Sequence, residues 1–263
     1  MNFDKLEIIS PILEALEKKN YSVPTEIQEK AIPLVLKRKD VLGCAQTCTG
    51  KTAAFAIPII QLIHQREKSQ NSKPKIRSLI ITPTRELAIQ IGENIDAYAK
   101  RTCVRHTVIF GGVKQGKQVE ALRRGVHILV ATPGRLLDLI SQRHISLDNV
   151  KIFVLDEADR MLDMGFIHDI KKLLKILPEK KQSLFFSATM PDNIIKLSRQ
   201  ILNNPIKVEV ARVSSAAETI QQYLYYTNKK TKNDLLLHLL KNRDMDQVLL
   251  FSRTKHGADR ITR

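Results

Sequence analysis

The chain has 263 residues, 43% of them hydrophobic, enough for two domains or for one large domain and part of another, and its 43 Lys and Arg against 27 Asp and Glu give a net charge of +16. That balance favours a polyanion such as nucleic acid as partner, with an ordinary basic surface as the plain alternative, and composition does not separate RNA from DNA. No stretch reaches the roughly 18 apolar residues of a membrane span, the opening Met1-Asn2-Phe3-Asp4-Lys5-Leu6-Glu7 lacks the pattern of a signal peptide, and Cys44, Cys48 and Cys103 lack metal-ligand spacing with the histidines. A soluble, cytoplasmic protein in a reducing compartment is expected, with no membrane partner.

In chain order, apolar Ile12, Leu13 and Leu16 recur at helical spacing over residues 10–18, with Ser10 as N-cap and Pro11 in the first turn. Thr25 is placed to cap a second helix carrying Gln28 in its first turn, a side chain whose donor and acceptor pair suits the N6/N7 edge of adenine. Most exposed glutamines do nothing of the kind. The run Val41-Leu42-Gly43-Cys44 reads as a strand, and residues 78–82, 106–110, 127–131, 151–155 and 183–187 read as further strands, each followed by a helical segment such as 85–99. Such β-α alternation specifies a parallel sheet with helices on both faces, whose sites lie at the carboxyl ends of the strands. Residues 65–75, rich in charged and polar side chains, read as a surface loop, and 206–210 as a last strand.

Domain boundaries follow from where that pattern breaks: a first domain over 1–210, a polar linker of small residues over 211–219, and a second α/β unit over 220–263 with strands at 220–227 and 247–252, a helix at 231–240 and another opening near His256. Two strands cannot bury a core of their own, so the second unit reads as incomplete.

Two stretches carry chemistry. Ala45-Gln46-Thr47-Cys48-Thr49-Gly50-Lys51-Thr52 lies between a strand and a helix and nearly matches G-x-x-x-x-G-K-[ST]. In such a loop backbone N–H groups and the helix N-terminus cradle phosphates, Lys51 reaches the β and γ phosphates and Thr52 binds Mg²⁺. Cys48 stands where glycine is usual, so a β-carbon and sulfur crowd the nucleotide; Cys48→Gly is expected to raise ATP affinity, read by isothermal titration. Ile152-Phe153-Val154-Leu155-Asp156-Glu157 is an apolar strand ending in two carboxylates, suited to hold Mg²⁺ through Asp156 and to orient the attacking water through Glu157.

With Asp156-Glu157-Ala158-Asp159 stand Pro24-Thr25-Glu26-Ile27-Gln28, Pro83-Thr84-Arg85-Glu86-Leu87-Ala88, Gly111-Gly112, Thr132-Pro133-Gly134-Arg135, Ser187-Ala188-Thr189 and Leu250-Phe251-Ser252-Arg253-Thr254. Together with the phosphate loop this series resembles the DEAD-box ATP-dependent RNA helicases, and its compact form is most similar to small bacterial members of RhlE type. The resemblance implies a RecA-like parallel sheet of the P-loop NTPase kind, followed by an incomplete second RecA-like domain.

It also implies roles. Phe3 would stack on adenine and Gln28 would read its edge; Lys51, Thr52 and Asp156 would hold Mg-ATP, and Glu157 would act in hydrolysis. Asp159, Ser187 and Thr189 would couple nucleotide state to strand separation. Pro83, Thr84, Arg85, Gly111, Gly112, Thr132, Pro133, Gly134 and Arg135 would grip RNA through its backbone, as arginines and small-residue N–H groups can. The implied substrate and cofactor are ATP and Mg²⁺, the implied partner is single-stranded or short duplex RNA, and a monomer is expected. The family's later His-Arg-x-Gly-Arg motif does not occur in this sequence, so little turnover is expected from the chain alone. Its alternatives are a non-catalytic RNA clamp or decoy and, more weakly, a DNA helicase.

Overall fold

The computed structural model describes residues 2–46, 49–69, 72–210, 221, 223–241, 245 and 247–262. Two compact units emerge, residues 1–212 and 213–263. In the first, the seven strands β1 (Val41–Cys44), β2 (Ser78–Ile81), β3 (His106–Ile109), β4 (Ile128–Ala131), β5 (Ile152–Leu155), β6 (Gln182–Ser187) and β7 (Ile206–Glu209) form one sheet in the order β3-β4-β2-β5-β6-β1-β7. Every pairing is parallel, with Val41 opposite Leu184, Ser78 opposite Ile152 and Ile152 opposite Gln182.

The central strands β2, β4, β5 and β6 are buried along their whole length and mostly apolar because both faces are covered. Ile128 and Val130 of β4, Ile152 and Val154 of β5, and Leu184 and Phe186 of β6 enter one core; Leu129, Ala131, Phe153, Leu155 and Phe185 enter the other. Side chains alternate across a strand, so each strand serves both cores. The first core is closed by α1 (Ser10–Glu17), α2 (Glu26–Leu36), α3 (Lys51–Glu67) and α4 (Arg85–Ala99). Opposite them, α5 (Gly116–Arg124), α6 (Pro133–Ser141), α7 (Ala158–Asp163), α8 (Ile167–Ile176) and α9 (Asp192–Ile201) close the second. Helix α4 spans the stretch expected of it, burying Ala88, Ile91, Ile95 and Tyr98.

Several expectations need correction. Ser10 is not the N-cap of α1; Ile9 is, because Gln61 holds the entry, accepting the Ile9 N–H at 3.0 Å through Oε1 and donating to the Glu7 carbonyl at 2.8 Å through Nε2. The surface loop starts later than residue 65, since α3 runs on to Glu67, whose carboxylate is buried against Arg77 at 2.8 Å. In the second unit, helices α10 (Lys232–Leu240) and α11 (Lys255–Thr262) form near the expected places, but residues 223–227 and 247–252 form no strands. A strand exists only through its ladder, and among the described residues neither segment has one; Tyr226 is 91% and Phe251 85% exposed. The linker expected at 211–219 lies outside the described residues, as do Thr47 and Cys48 of the phosphate loop. Among the described residues no helix is long and apolar enough to cross a membrane.

Candidate active site and nucleic-acid interface

Sheet order decides what meets at the carboxyl edge. Strands β5, β6 and β1 are neighbours, so the loops after them are side by side: the carboxylates after β5, Ser187-Ala188-Thr189 at the end of β6 and the phosphate loop after β1. Strands β3, β4 and β2 form the other half, which gathers Gly111-Gly112, Thr132-Pro133-Gly134-Arg135 and Pro83-Thr84-Arg85.

The first group opens into a cavity of about 590 Å³ lined by Thr25, Gln28, Gly50, Lys51, Thr52, Asp156 and Glu157. Helix α3 starts at Lys51, and the N-cap Gly50 has φ +88°, a left-handed conformation that glycine adopts without penalty. A Cβ at Gly50 would stand 2.3 Å from Gln28 Nε2, so a side chain there would also have to displace the Gln28 amide. Gln28 donates to the Gly50 carbonyl at 3.1 Å and accepts the Thr25 N–H at 3.0 Å, while the Thr25 hydroxyl donates to the Thr49 carbonyl at 2.8 Å. Thr49 in turn donates to the Gln46 carbonyl at 2.7 Å. Gln28 therefore ties the start of α2 to the phosphate loop. Its amide retains one further donor and one further acceptor for a base.

Lys51 is 6% exposed, and its ammonium is fully buried with no hydrogen-bond partner among the described residues. A buried, unsatisfied ammonium is costly unless something anionic completes it, so the pocket fits a phosphate. Asp156 is 2% exposed. Burial pushes its carboxyl up to about 6, with Lys51 pulling the other way and Glu157 adding to the rise. Asp156 Oδ1 accepts the Glu157 N–H at 3.0 Å. That buried carboxylate beside the Thr52 hydroxyl in one cavity fits a divalent cation.

Glu157 has φ 53°, ψ 50°, a left-handed conformation that a residue with a β-carbon holds only at a cost of about 1–2 kcal/mol. The bend places Glu157 at the cavity wall and starts α7, and Arg160 Nη1 pairs with Glu157 Oε2 at 3.2 Å. Asp159 links this loop to β6: Oδ2 accepts both the Thr189 N–H and its hydroxyl at 2.9 Å, and the Asp159 N–H donates to Ser187 Oγ at 3.2 Å. Burial pushes the Asp159 carboxyl up, but donation from Thr189, Ser187 and the Arg160 N–H outweighs it and holds the group below the usual carboxylate range. The Ala45 N–H donates to the Ser187 carbonyl at 3.1 Å. Ser187 thus bridges the phosphate loop and the carboxylate loop.

Phe3 is not in this cavity. It lies in a short 3-10 helix, Phe3–Leu6, 4% exposed and packed in the first core, so here its ring offers no face to a base. Two tyrosines line the cavity: Tyr21, 41% exposed at the rim beside Val23, and buried Tyr98, their ring centroids 6.4 Å apart. Tyr98 is raised from the usual phenol value by burial and by Tyr21 beside it. The available signal for Tyr21 was its place four residues before Thr25, in a polar loop where a large ring has no core to fill.

On the other half of the edge, Pro83, Thr84, Arg85, Gly111, Thr132, Gly134 and Arg135 line a single hollow of about 410 Å³ with Phe110, Met164 and Phe166. Gly112 and Pro133 do not line it; Gly112 has φ +77° and Pro133 is buried in the first turn of α6. The N-termini of α4 and α6 converge there: Thr84 caps α4 by accepting the Leu87 N–H at 3.3 Å, and Thr132 is the N-cap of α6. Paired helix N-termini suit anionic oxygens. A Cβ at Gly111 or Gly134 would meet nothing within 4 Å, so the protein's own packing does not require glycine at either place. The Arg85 guanidinium stacks over Phe110, 4.9 Å from the ring centroid. Arg135 is engaged inside the chain, donating to the Val113 carbonyl at 2.9 Å and Gln118 Oε1 at 3.3 Å.

Residues 25–197 match the DEAD/DEAH box helicase family. The ATP-dependent RNA helicase CshA of Limosilactobacillus reuteri is 40% identical over 263 residues, covering 100% of this chain and 52% of the relative. The DEAD-box ATP-dependent RNA helicase CshA of Geobacillus kaustophilus is 39% identical over 259 residues, 98% of this chain and 54% of the relative. Among solved structures, a DEAD box protein from the hyperthermophile Methanococcus jannaschii superposes with a TM-score of 0.74 at 37% identity, over 100% of this chain and 69% of that one. A hypothetical ATP-dependent RNA helicase from Sulfolobus tokodaii gives 0.70 at 37% identity, over 77% and 57%. The chain spans about half the length of these curated relatives, which carry the name CshA where the motif series had pointed to RhlE type. The seven-stranded sheet is accordingly RecA-like, and the chain belongs to the DEAD/DEAH box helicase family.

Proposed function

We propose that this chain supplies the nucleotide-binding half of an ATP-dependent RNA helicase that couples ATP hydrolysis to local opening of short RNA duplexes. The observation that carries the reading is Lys51, a buried ammonium with no hydrogen-bond partner among the described residues, in the same cavity as Thr52, Asp156 and Glu157. ATP phosphates would complete Lys51 and the N–H groups at the start of α3. Tyr21 would offer the adenine its ring, and Gln28 its remaining amide donor and acceptor. Thr52 and Asp156 would hold Mg²⁺, which offsets the charge that develops on the transferred phosphoryl group. Glu157 at the cavity wall would orient and deprotonate the attacking water.

RNA would lie in the hollow over the β3-β4-β2 half, its phosphates on Arg85 and the N-termini of α4 and α6, with close approach at Gly111 and Gly134. Asp159 would carry the coupling. It binds Thr189 and Ser187, and the latter also holds Ala45, so a change at the nucleotide phosphates is passed through β6 to the carboxylate loop. In this reading residues 220–263 begin a second RecA-like domain, little turnover comes from this chain alone, and the protein is a cytoplasmic monomer.

Binding of a fluorescent ADP with Mg²⁺ tests the proposal. Saturable binding lost in Lys51→Ala is expected; equal binding by both forms overturns the assigned phosphate site. A second reading, an RNA clamp without turnover, rests on Cys48 in place of glycine. RNA-stimulated phosphate release by the full-length gene product separates the two, since a clamp shows none.

A further inference from the structure

The opposite edge of the sheet carries a feature that neither half of the carboxyl edge uses. In a parallel sheet all strands start on one edge, and three neighbouring strands here are entered through cations: Arg38-Lys39-Asp40 precede β1, Lys151 precedes β5 and Lys180-Lys181 precede β6. With Arg66 from the returning end of α3 they surround a hollow of about 560 Å³. Among the described residues, Arg38, Lys39, Lys151, Lys180 and Lys181 form no ion pair. Asp40, the one carboxylate on the wall, is 9% exposed and faces backbone instead, accepting the Ser183 N–H at 2.8 Å and the Asn203 N–H at 2.7 Å.

We propose that this hollow is a second RNA-backbone site, on the edge of the sheet opposite the first. It rests on RNA being the polyanion proposed above. Like charges gathered around one concavity repel in the free protein, and a polyanion both relieves that repulsion and gains from release of its counterions. Burial and the neighbouring Arg66 hold Arg38 below the usual guanidinium value, as expected where like charges crowd one hollow. The lining chooses between nucleic acid and an acidic protein segment: every wall residue is polar or charged, Gln182, Asn203 and Asn204 included. Protein interfaces have an apolar core, and single-strand sites that stack bases have aromatics; this wall has neither. It suits a ligand that presents phosphodiester oxygens only, held without regard to base.

The test is the salt dependence of binding of a long single-stranded RNA by the wild type and by Lys151→Gln/Lys180→Gln/Lys181→Gln, followed by fluorescence anisotropy. Each lost phosphate contact lowers the slope of log K against log salt by about 0.7, so the triple variant should lose about 2 in slope. The double variant Lys151→Gln/Lys180→Gln, which leaves the Lys181 bond to the Pro178 carbonyl intact, should lose about 1.4 by the same count. Arg85→Ala, which weakens the first face, should retain the lysine-dependent part. An unchanged slope in the lysine variants overturns this proposal while leaving the first face standing; failure of the wild type to bind RNA overturns both. Displacement of RNA from Arg85→Ala by polyglutamate as effectively as by unlabelled RNA also overturns it, in favour of an acidic peptide site.

Discussion

Asp156 shows how a single buried carboxyl makes the candidate site a source of instability. Its value in the folded chain, about 6 against 3.8, is raised, so the folded form keeps a proton that the unfolded form releases. Stability therefore falls as pH rises from about 4 to about 6 and stays lowered above that, by ~3 kcal/mol on this displacement. Asp156→Asn removes the titration. In urea melts without nucleotide, the variant should gain on the wild type between pH 4 and pH 6.5; parallel stability curves would refute the assignment. Tyr21 makes a second residue-scale case. It is 41% exposed at the rim, where its ring is open to a ligand beside Tyr98. If it carries the adenine, Tyr21→Ala should weaken Mg-ADP by about tenfold, within the 1–3 kcal/mol of an aromatic–base stack, and leave the melting temperature nearly unchanged. A Phe3→Ala chain should instead lose stability, because Phe3 fills the first core.

At the scale of elements, the phosphate loop is held by α2 as much as by the strand and helix that flank it. Gly50→Ala forces a side chain to φ +88° and drives a Cβ to 2.3 Å from Gln28 Nε2, breaking the tie between the loop and α2. The conformational part alone costs about 1–2 kcal/mol, so nucleotide affinity should fall by roughly tenfold or more. Calorimetric titration of Mg-ADP checks this, and wild-type affinity would show that the loop does not need the observed conformation to bind. How far such ties can be read in advance depends on what a pattern encodes. The seven strands of the first unit were legible to within one residue at each end, most plainly β4 and β5, because a strand buried on both faces must be apolar along its length. The segments at 223–227 and 247–252 have the same pattern and form no strand, since hydrophobicity does not supply the neighbour that a ladder needs. The Gln28 link, the burial of Phe3 and the place of Phe110, Met164 and Phe166 in the second hollow all depend on residues far apart in sequence, and no local period reports them.

On the scale of the whole molecule, the seven-stranded sheet sorts chemistry by edge and by half: the candidate nucleotide groups after β5, β6 and β1, the candidate RNA face after β3, β4 and β2, and the basic hollow at the strand starts. All three lie within residues 1–212, which contain the complete sheet and both cores. Helices α10 and α11 have no buried residue among them. A unit that already buries two cores on one continuous parallel sheet has what cooperative folding requires. A chain ending at Arg212 should therefore melt in one transition and bind Mg-ADP with an affinity within about twofold of the full sequence, a difference of less than ~0.5 kcal/mol. Phosphate release should stay low in both, because closing arginines on the γ-phosphate normally contribute about 10³–10⁵ in rate and, among the described residues, none lines the cavity of the first unit. Loss of the transition or of nucleotide binding on removing residues 213–263 would place part of the site's support outside the sheet.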